Sequence, residues 1–343
     1  MYQFDKRIVM TLDAGGTNFV FSAIQSNEEI VEPIVLPSNG DNLEKCLETL
    51  VTGFSAIKLK LPDNPVAISF AFPGPADYVN GIIGDLNNLP AFRGGVALGA
   101  FLKNVFGIPV FINNYGDLFA YGEALAGALP EVNRMLGNAG KSKVYKNLIG
   151  ITLGTGFGGG VVRDGELFLG DNGSAAEVWV LRDKREPVYS VEEGISIRAI
   201  KREYARLSGD PRKLTPKDIF DIAEGTLEGD QASARTTFEH AGEVLGEAIA
   251  SINAVVDGIV VLGGGIVAAH KYLMPSVIRE LNGTVAMYEG APSDRMEMKA
   301  FFWDDPSGLS VFLARTSRQI LVPGTTETSE YDAVKRMAVI TTK

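Results

Sequence analysis

The sequence predicts an α/β protein folded as two lobes. Three observations carry that reading. Apolar runs of strand length alternate with stretches of helical period, and the alternation occurs twice along the chain. A strand, a glycine-rich turn and a second strand occur near the start and again near the middle. With 343 residues, the chain is long enough for two domains with cores of their own.

The elements follow in order. Residues 8–36 read as three strands, the first two joined by Asp13-Ala14-Gly15-Gly16-Thr17-Asn18. Residues 42–61 place Leu43, Leu47, Leu50, Val51, Phe54 and Ile57 at helical spacing. Residues 66–72 are nearly all apolar and stop at Pro73-Gly74-Pro75, as a buried parallel strand would. Gly81-Ile82-Ile83-Gly84 reads as a short strand before Asn87-Asn88-Leu89-Pro90. Residues 98–106 read as a helix ended by Gly107. Val110-Phe111-Ile112 is a strand that runs into Asn113-Asn114-Tyr115-Gly116-Asp117. Residues 118–129 form a helix stopped at Pro130, and 131–147 a polar connection. After the second glycine hairpin, residues 191–207 and 216–223 read as helices. Residues 231–256 form a long helix with Phe238, Ala241, Val244, Leu245, Ala248, Ile249 and Ile252 on one stripe. A strand over 259–262, a helix over 272–281 and a short apolar run at 337–340 complete the chain. Phe301-Phe302-Trp303 suits either core or interface, and His240 and His270 are expected in solvent-facing or capping roles.

The stretch around Gly154 bears most on function. Ile149-Gly150-Ile151-Thr152-Leu153 leads into Gly154-Thr155-Gly156-Phe157-Gly158-Gly159-Gly160. Glycine allows backbone to approach a ligand closely, and successive free N–H groups in such a turn form an anion-binding concavity. Gly154, Gly156 and Gly159 satisfy G-x-G-x-x-G, but the dinucleotide reading needs a helix directly after the loop. Here Val161-Val162 and the hairpin signal Asp164-Gly165 follow, so the loop joins two strands and a nicotinamide-dependent enzyme is disfavoured. A third glycine run, Gly263-Gly264-Gly265, follows the apolar Ile259-Val260-Val261-Leu262. Any one of these suits a tight turn. Together, with Asp and Thr at their tips, they point to a nucleotide phosphate site.

Bulk properties narrow the partners. A net charge of −10 argues against nucleic acid, which needs a basic face. A single cysteine, Cys46, precludes a disulfide framework and fits a reducing compartment. No segment has the layout of a signal peptide or the length of a membrane span, so the expected location is the cytoplasm, with no membrane partner.

Five segments now resemble one family in order and spacing. The chain is similar to the ROK family of bacterial sugar kinases and sugar-responsive repressors, within the actin-like ATPase superfamily. Residues 13–17 resemble its first phosphate loop, Phe72-Pro73-Gly74-Pro75 its proline-glycine segment, and Asn88-Leu89-Pro90 a sugar-side loop. Residues 153–160 resemble its second phosphate loop, and residues 261–266 its adenosine segment. The resemblance implies a two-lobed actin-like ATPase (ribonuclease H-like) fold with an inter-lobe cleft, one lobe over 1–115 and the other over 116–343. It implies transfer of the ATP γ-phosphate to a hexose hydroxyl, glucokinase-like. Asp13 would hold Mg²⁺, in part through water, because Mg²⁺ prefers oxygen ligands and retains hydration. Gly15, Gly16, Thr17 and Asn18 would bind phosphate from one lobe, and Gly154, Thr155 and Gly156 from the other, the two loops facing one another. Gly263 and Gly264 would let adenine lie against backbone. Asn88, Asn114, Glu177 (in Ala175-Ala176-Glu177, where the family has A-G-E) and Glu192 would bind the sugar. Family members are often dimers, so a homodimer is expected.

Three departures qualify the resemblance. The family's zinc cysteines and histidine are absent between Trp179 and Glu192, so no zinc is expected. The closing helix of many relatives is not evident before Lys343, and no helix-turn-helix of the family's repressors fits before Asp13. The sharpest departure is at the base. Aligned on Asn114 and Gly122-Glu123, the family's catalytic aspartate position holds Tyr115. A phenol of pKa ~10 is protonated at neutral pH and cannot readily accept the sugar proton. Asp117, two residues on, would face a different way on a regular helix. The alternative function is therefore a sugar-binding regulatory protein with weak or no catalysis.

Overall fold

In the computed structural model, which describes residues 4–74, 76–85 and 89–342, the first glycine turn joins β1 (Val9–Ala14) to β2 (Asn18–Gln25) as an antiparallel hairpin. β2 also pairs with β3 (Glu28–Glu29) and β4 (Ile34–Pro37). The strand expected over 30–36 therefore begins only at Ile34. Pro33 precedes β4, and a residue with no N–H cannot donate to a ladder. Asn42 caps α1 (Leu43–Lys60), its side chain accepting from the Lys45 N–H at 3.0 Å. β5 (Ala67–Ala71) then lies parallel to β1. A small hairpin of β6 (Ala76–Asp77) and β7 (Ile82–Ile83) follows, then α2 (Leu98–Phe106), which ends at Gly107 with φ 69°. β8 (Val110–Asn113) lies parallel to β5, giving the strand order β3-β2-β1-β5-β8.

Phe19, Phe21, Phe54, Phe70 and Phe72 are fully buried in this unit, with Cys46. Their rings meet mostly edge to face, Phe21 and Phe54 with centroids 5.1 Å apart at 81°. That geometry suits the aromatic quadrupole. The unit takes the residues to Leu118 together with Leu169–Ala175, and the second unit takes Phe119–Phe168 and Ala176–Lys343.

The helix expected to stop at Pro130 is in fact two helices, α3 (Tyr115–Leu125) and α4 (Ala128–Asn138). Pro130 falls in the first turn of α4, where a backbone N–H would have no intrahelical partner, so proline starts this helix instead of ending one. Residues 131–138, read as a polar connection, are its body.

The second unit is built on β9 (Leu148–Leu153), β10 (Phe157–Arg163) and β11 (Glu166–Leu167), an antiparallel run about the second glycine turn. The helix expected over 191–207 breaks at Ser196, whose ψ of 169° is extended, into α5 (Glu192–Ile195) and α6 (Ile197–Ser208). α7 (Pro216–Glu224) and α8 (Gln231–Val256) follow, then β12 (Ile259–Gly263) parallel to β9, and α9 (His270–Leu281). Beyond the β13 (Thr284–Val285) and β14 (Ser293–Asp294) pair come β15 (Lys299–Phe302), α10 (Pro306–Leu313), the exposed hairpin β16 (Arg318–Leu321) with β17 (Thr328–Tyr331), and β18 (Arg336–Thr341). The strand order is β11-β10-β9-β12-β18-β15. As in the first unit, an antiparallel hairpin continues into parallel strands.

The run at 337–340 is thus an interior strand, buried between β12 and β15. β15 was not read as a strand from sequence. Its Phe301 and the following Trp303 pack edge-on against Phe312, as core. His240, expected in a solvent or capping role, instead pairs across helices, Nδ1 to Glu203 Oε1 at 2.6 Å. Among the described residues, no helix is long and apolar enough to cross a membrane.

Candidate functional site

In the first unit, the parallel strands β1, β5 and β8 end level with one another, Asp13 opposite Ala71 and Ala71 opposite Asn113. The carboxyl ends of parallel strands are where open α/β sheets bind ligands. Asp13, Gly16, Thr17 and Asn18 are exposed there. Gly15 is constrained by its own turn, since a Cβ on it would stand 2.7 Å from the Asn18 carbonyl oxygen.

Beneath the turn lies buried Ser38, which sequence reasoning missed. Its hydroxyl donates to the Gly16 carbonyl at 2.7 Å and its N–H to the Thr17 carbonyl at 2.9 Å. In a trans peptide plane the C=O and the following N–H point in opposite directions. Pinning those two carbonyls therefore turns the N–H groups of Thr17 and Asn18 the other way, together.

α3 begins at the same edge. Asn114 caps it: its Oδ1 accepts from the Gly116 N–H at 2.7 Å and its carbonyl from the Leu118 N–H at 3.0 Å. Tyr115, the first helical residue, is partly exposed, and its hydroxyl donates to the Ala14 carbonyl at 2.8 Å. Burial, and after it the negative charge of Asp13, push that hydroxyl up to about 12. Tyr115 is thus tied to the end of β1 and remains protonated at neutral pH. Asp117 is buried, so the two positions present different surroundings on α3. Asn88 and Pro75 lie outside the described residues.

The second unit repeats the arrangement. β9 and β12 are parallel, with Gly263 opposite Thr152, so Gly154, Thr155 and Gly156 come beside Gly263 and Gly264. Gly264 has φ 94°, and a Cβ on it would stand 2.3 Å from the Leu153 carbonyl oxygen, so only glycine fits. The turn bonds to itself through Gly154 N–H to the Gly156 carbonyl at 3.0 Å. Its carbonyls are held from α6: Gly154 accepts from the Ile197 N–H at 2.9 Å, and Thr155 from Arg198 Nη1 at 3.4 Å. By the same peptide-plane argument, the N–H groups of Thr155 and Gly156 turn away from α6.

Glu192, expected at the sugar, lies against this turn. Its Oε2 accepts from the Phe157 N–H at 2.9 Å, and its Oε1 pairs with Arg198 Nη2 at 2.6 Å. Arg198 was also missed from sequence, because the break at Ser196 is what lets a side chain six positions on return to Glu192.

Glu177 is exposed and accepts from Trp179 Nε1 at 2.5 Å. Among the described residues, no hydrogen bond joins it to Glu192. Ala176 before it has φ 59°, a left-handed conformation costly for a residue with a Cβ. Ala176→Gly should therefore stabilise the chain by roughly 0.5–1 kcal/mol after the extra entropy of glycine is counted. A denaturation midpoint that stays put or falls would refute this.

Between Trp179 and Glu192 the chain closes on hydrogen bonds. Buried Asp183 accepts from the N–H groups of Arg185 at 2.7 Å and Glu186 at 3.2 Å, and Leu181 accepts from the Val191 N–H at 2.7 Å. Among the described residues, no group of three or more His, Cys, Asp or Glu could hold a metal ion.

Comparison with known proteins agrees with this architecture. Residues 9–301 match the ROK family. The crystal structure of a glucokinase from Parabacteroides distasonis is 55% identical, with TM-score 0.91, over 99% of this chain and 94% of that one. The glucokinase of Thermotoga maritima is 27% identical over 78% of this chain and 88% of its own length. The N-acetyl-D-glucosamine kinase of Vibrio parahaemolyticus is 28% identical over 74% and 83%. The fold is accordingly the two-lobed actin-like ATPase fold of sugar kinases, and the chain belongs to the ROK family.

Proposed function

We propose that this sugar kinase transfers the γ-phosphate of ATP to a hydroxyl of a hexose, in the manner of a glucokinase. The observation that carries the reading is the pair of pinned carbonyls in each glycine turn, which by peptide geometry turns the amides of Thr17 and Asn18, and of Thr155 and Gly156, the other way. Each pair lies at the carboxyl end of the parallel strands of its own sheet. Two adjacent N–H groups and a threonine hydroxyl form an anion-binding nest suited to phosphate oxygens. Gly15 and Gly16 allow the first turn its close approach, and Gly154 the second. Asp13 is an exposed carboxylate beside the first nest, which suits Mg²⁺, an ion usually held by one or two carboxylates, waters and substrate phosphate. Gly263 and Gly264, beside the second nest, would adjoin the adenosine. Asn88, Asn114, Glu177 and Glu192 would bind sugar hydroxyls. The enzyme would be cytoplasmic and homodimeric.

Tyr115 supports a second reading, a sugar-binding protein with weak turnover. Its hydroxyl is already donating to Ala14 and cannot take the proton of the sugar hydroxyl. Phosphoryl transfer rests mainly on positioning and charge stabilisation, so loss of the base lowers the rate without removing either substrate site. A coupled ADP-release assay over glucose, mannose and N-acetylglucosamine tests the kinase reading. Slow, sugar-dependent ADP release is expected with one of them, and ATP and sugar both failing to bind the folded protein would end the proposal. The purified protein should also hold no stoichiometric zinc, and elemental analysis finding about one ion per chain in a tetrahedral site would contradict this.

A further inference from the structure

We propose that Arg198 is a positioning residue that couples sugar binding at Glu192 to nucleotide binding at the turn of Gly154, Thr155 and Gly156. The inference rests on the kinase reading above. One carboxylate does two jobs in this geometry. Glu192 Oε2 accepts from the Phe157 N–H at 2.9 Å, at the foot of the turn. A Cβ on Gly156 would stand 2.6 Å from that same oxygen, so a side chain there would displace the carboxylate. Glu192 Oε1 is held by Arg198 Nη2 at 2.6 Å. The other arm of the guanidinium reaches the Thr155 carbonyl at 3.4 Å, and its Nε donates to Glu193 Oε1 at 2.8 Å. Arg198 therefore fixes both the carboxylate and the turn it supports.

A carboxylate offers about four acceptor positions. Phe157 and Arg198 occupy one on each oxygen, which leaves acceptors for sugar hydroxyls without breaking the clamp. A sugar bound at Glu192 would restrain the carboxylate, and through Phe157 and Arg198 the outward-turned amides of Thr155 and Gly156. A turn already ordered loses less freedom when phosphate binds. By linkage the effect is mutual: sugar tightens nucleotide and nucleotide tightens sugar by the same factor. Arg198 is about half exposed, and Glu193 retains Arg202 at 2.8 Å if Arg198 is replaced, so the fold tolerates the change.

Titration calorimetry tests this with the full chain, using AMPPNP–Mg²⁺ with and without saturating glucose, then N-acetylglucosamine. The wild type should bind AMPPNP at least about fivefold more tightly with its sugar present, the lower end of ordinary coupling. Arg198→Ala should bring that ratio to within about twofold of one. Arg198→Lys should restore part of the ratio, since an ammonium can pair with Glu192 but cannot fork onto Thr155 and Glu193 as well. A ratio of one in the wild type, or an Arg198→Ala ratio equal to that of wild type, overturns the proposal and leaves the kinase reading standing. Failure of the wild type to bind either ligand removes both.

Discussion

Tyr115→Asp should raise kcat by about 10²–10⁴-fold, the usual contribution of a positioned general base, with smaller changes in KM. The substituted position is the first residue of α3, where a carboxylate is favoured by the helix dipole. An aspartate there, of ordinary pKa near ~3.9, is ionised at neutral pH. The tyrosine hydroxyl, pushed up to about 12, is not. The change also frees the Ala14 carbonyl and opens space beside Asp13, where the sugar hydroxyl and Mg²⁺ are proposed to lie. Single-turnover kinetics with the preferred sugar separates chemistry from product release. Asp117→Ala is the companion experiment. Asp117 is buried, so its loss should cost stability more than it alters the chemical step. A wild type that turns over at ordinary kinase rates and is abolished by Asp117→Ala would make Asp117 the base.

Gly264→Ala should destabilise the second unit by about 3 kcal/mol or more, and with it weaken AMPPNP binding beyond tenfold. Two costs add. The φ of 94° and ψ of 165° at Gly264 belong to a region that essentially only glycine occupies. The new methyl would also stand 2.3 Å from the Leu153 carbonyl oxygen, a backbone atom at the end of β9 that cannot rotate aside. Relief requires β12 or β9 to shift, which displaces Gly154 and the turn that follows. The effect is read from the shift in a denaturation midpoint and from AMPPNP calorimetry. A loss under about 1 kcal/mol would mean that the segment relaxes freely and that Gly264 does not tie the two glycine segments together.

Several parts of the molecule were legible in the residues alone. Gly107 marks a helix end by chemistry confined to one turn, and the apolar stripe of residues 238–252 fixes α8 by period. The strand–glycine–strand pattern located both hairpin turns, and the absence of a helix after Gly159 removed the dinucleotide fold. These signals are written within a few residues of where they act. Pro130 was misread because proline both ends and begins helices, and only the break at Gly127 decides which. β15 was missed because four residues show no useful period, and its pairing with β18 is what makes it a strand. The clamps on the two turns were invisible for a related reason. Ser38 meets Gly16 across 22 positions of sequence, Glu192 meets Phe157 across 35, and Arg198 meets Thr155 across 43. The residues determined that glycine turns form and that no carboxylate stands at position 115. Only the tertiary path of the chain decided which carbonyls are pinned, and so which amides turn outward, because those hydrogen bonds exist only once distant segments have been packed together.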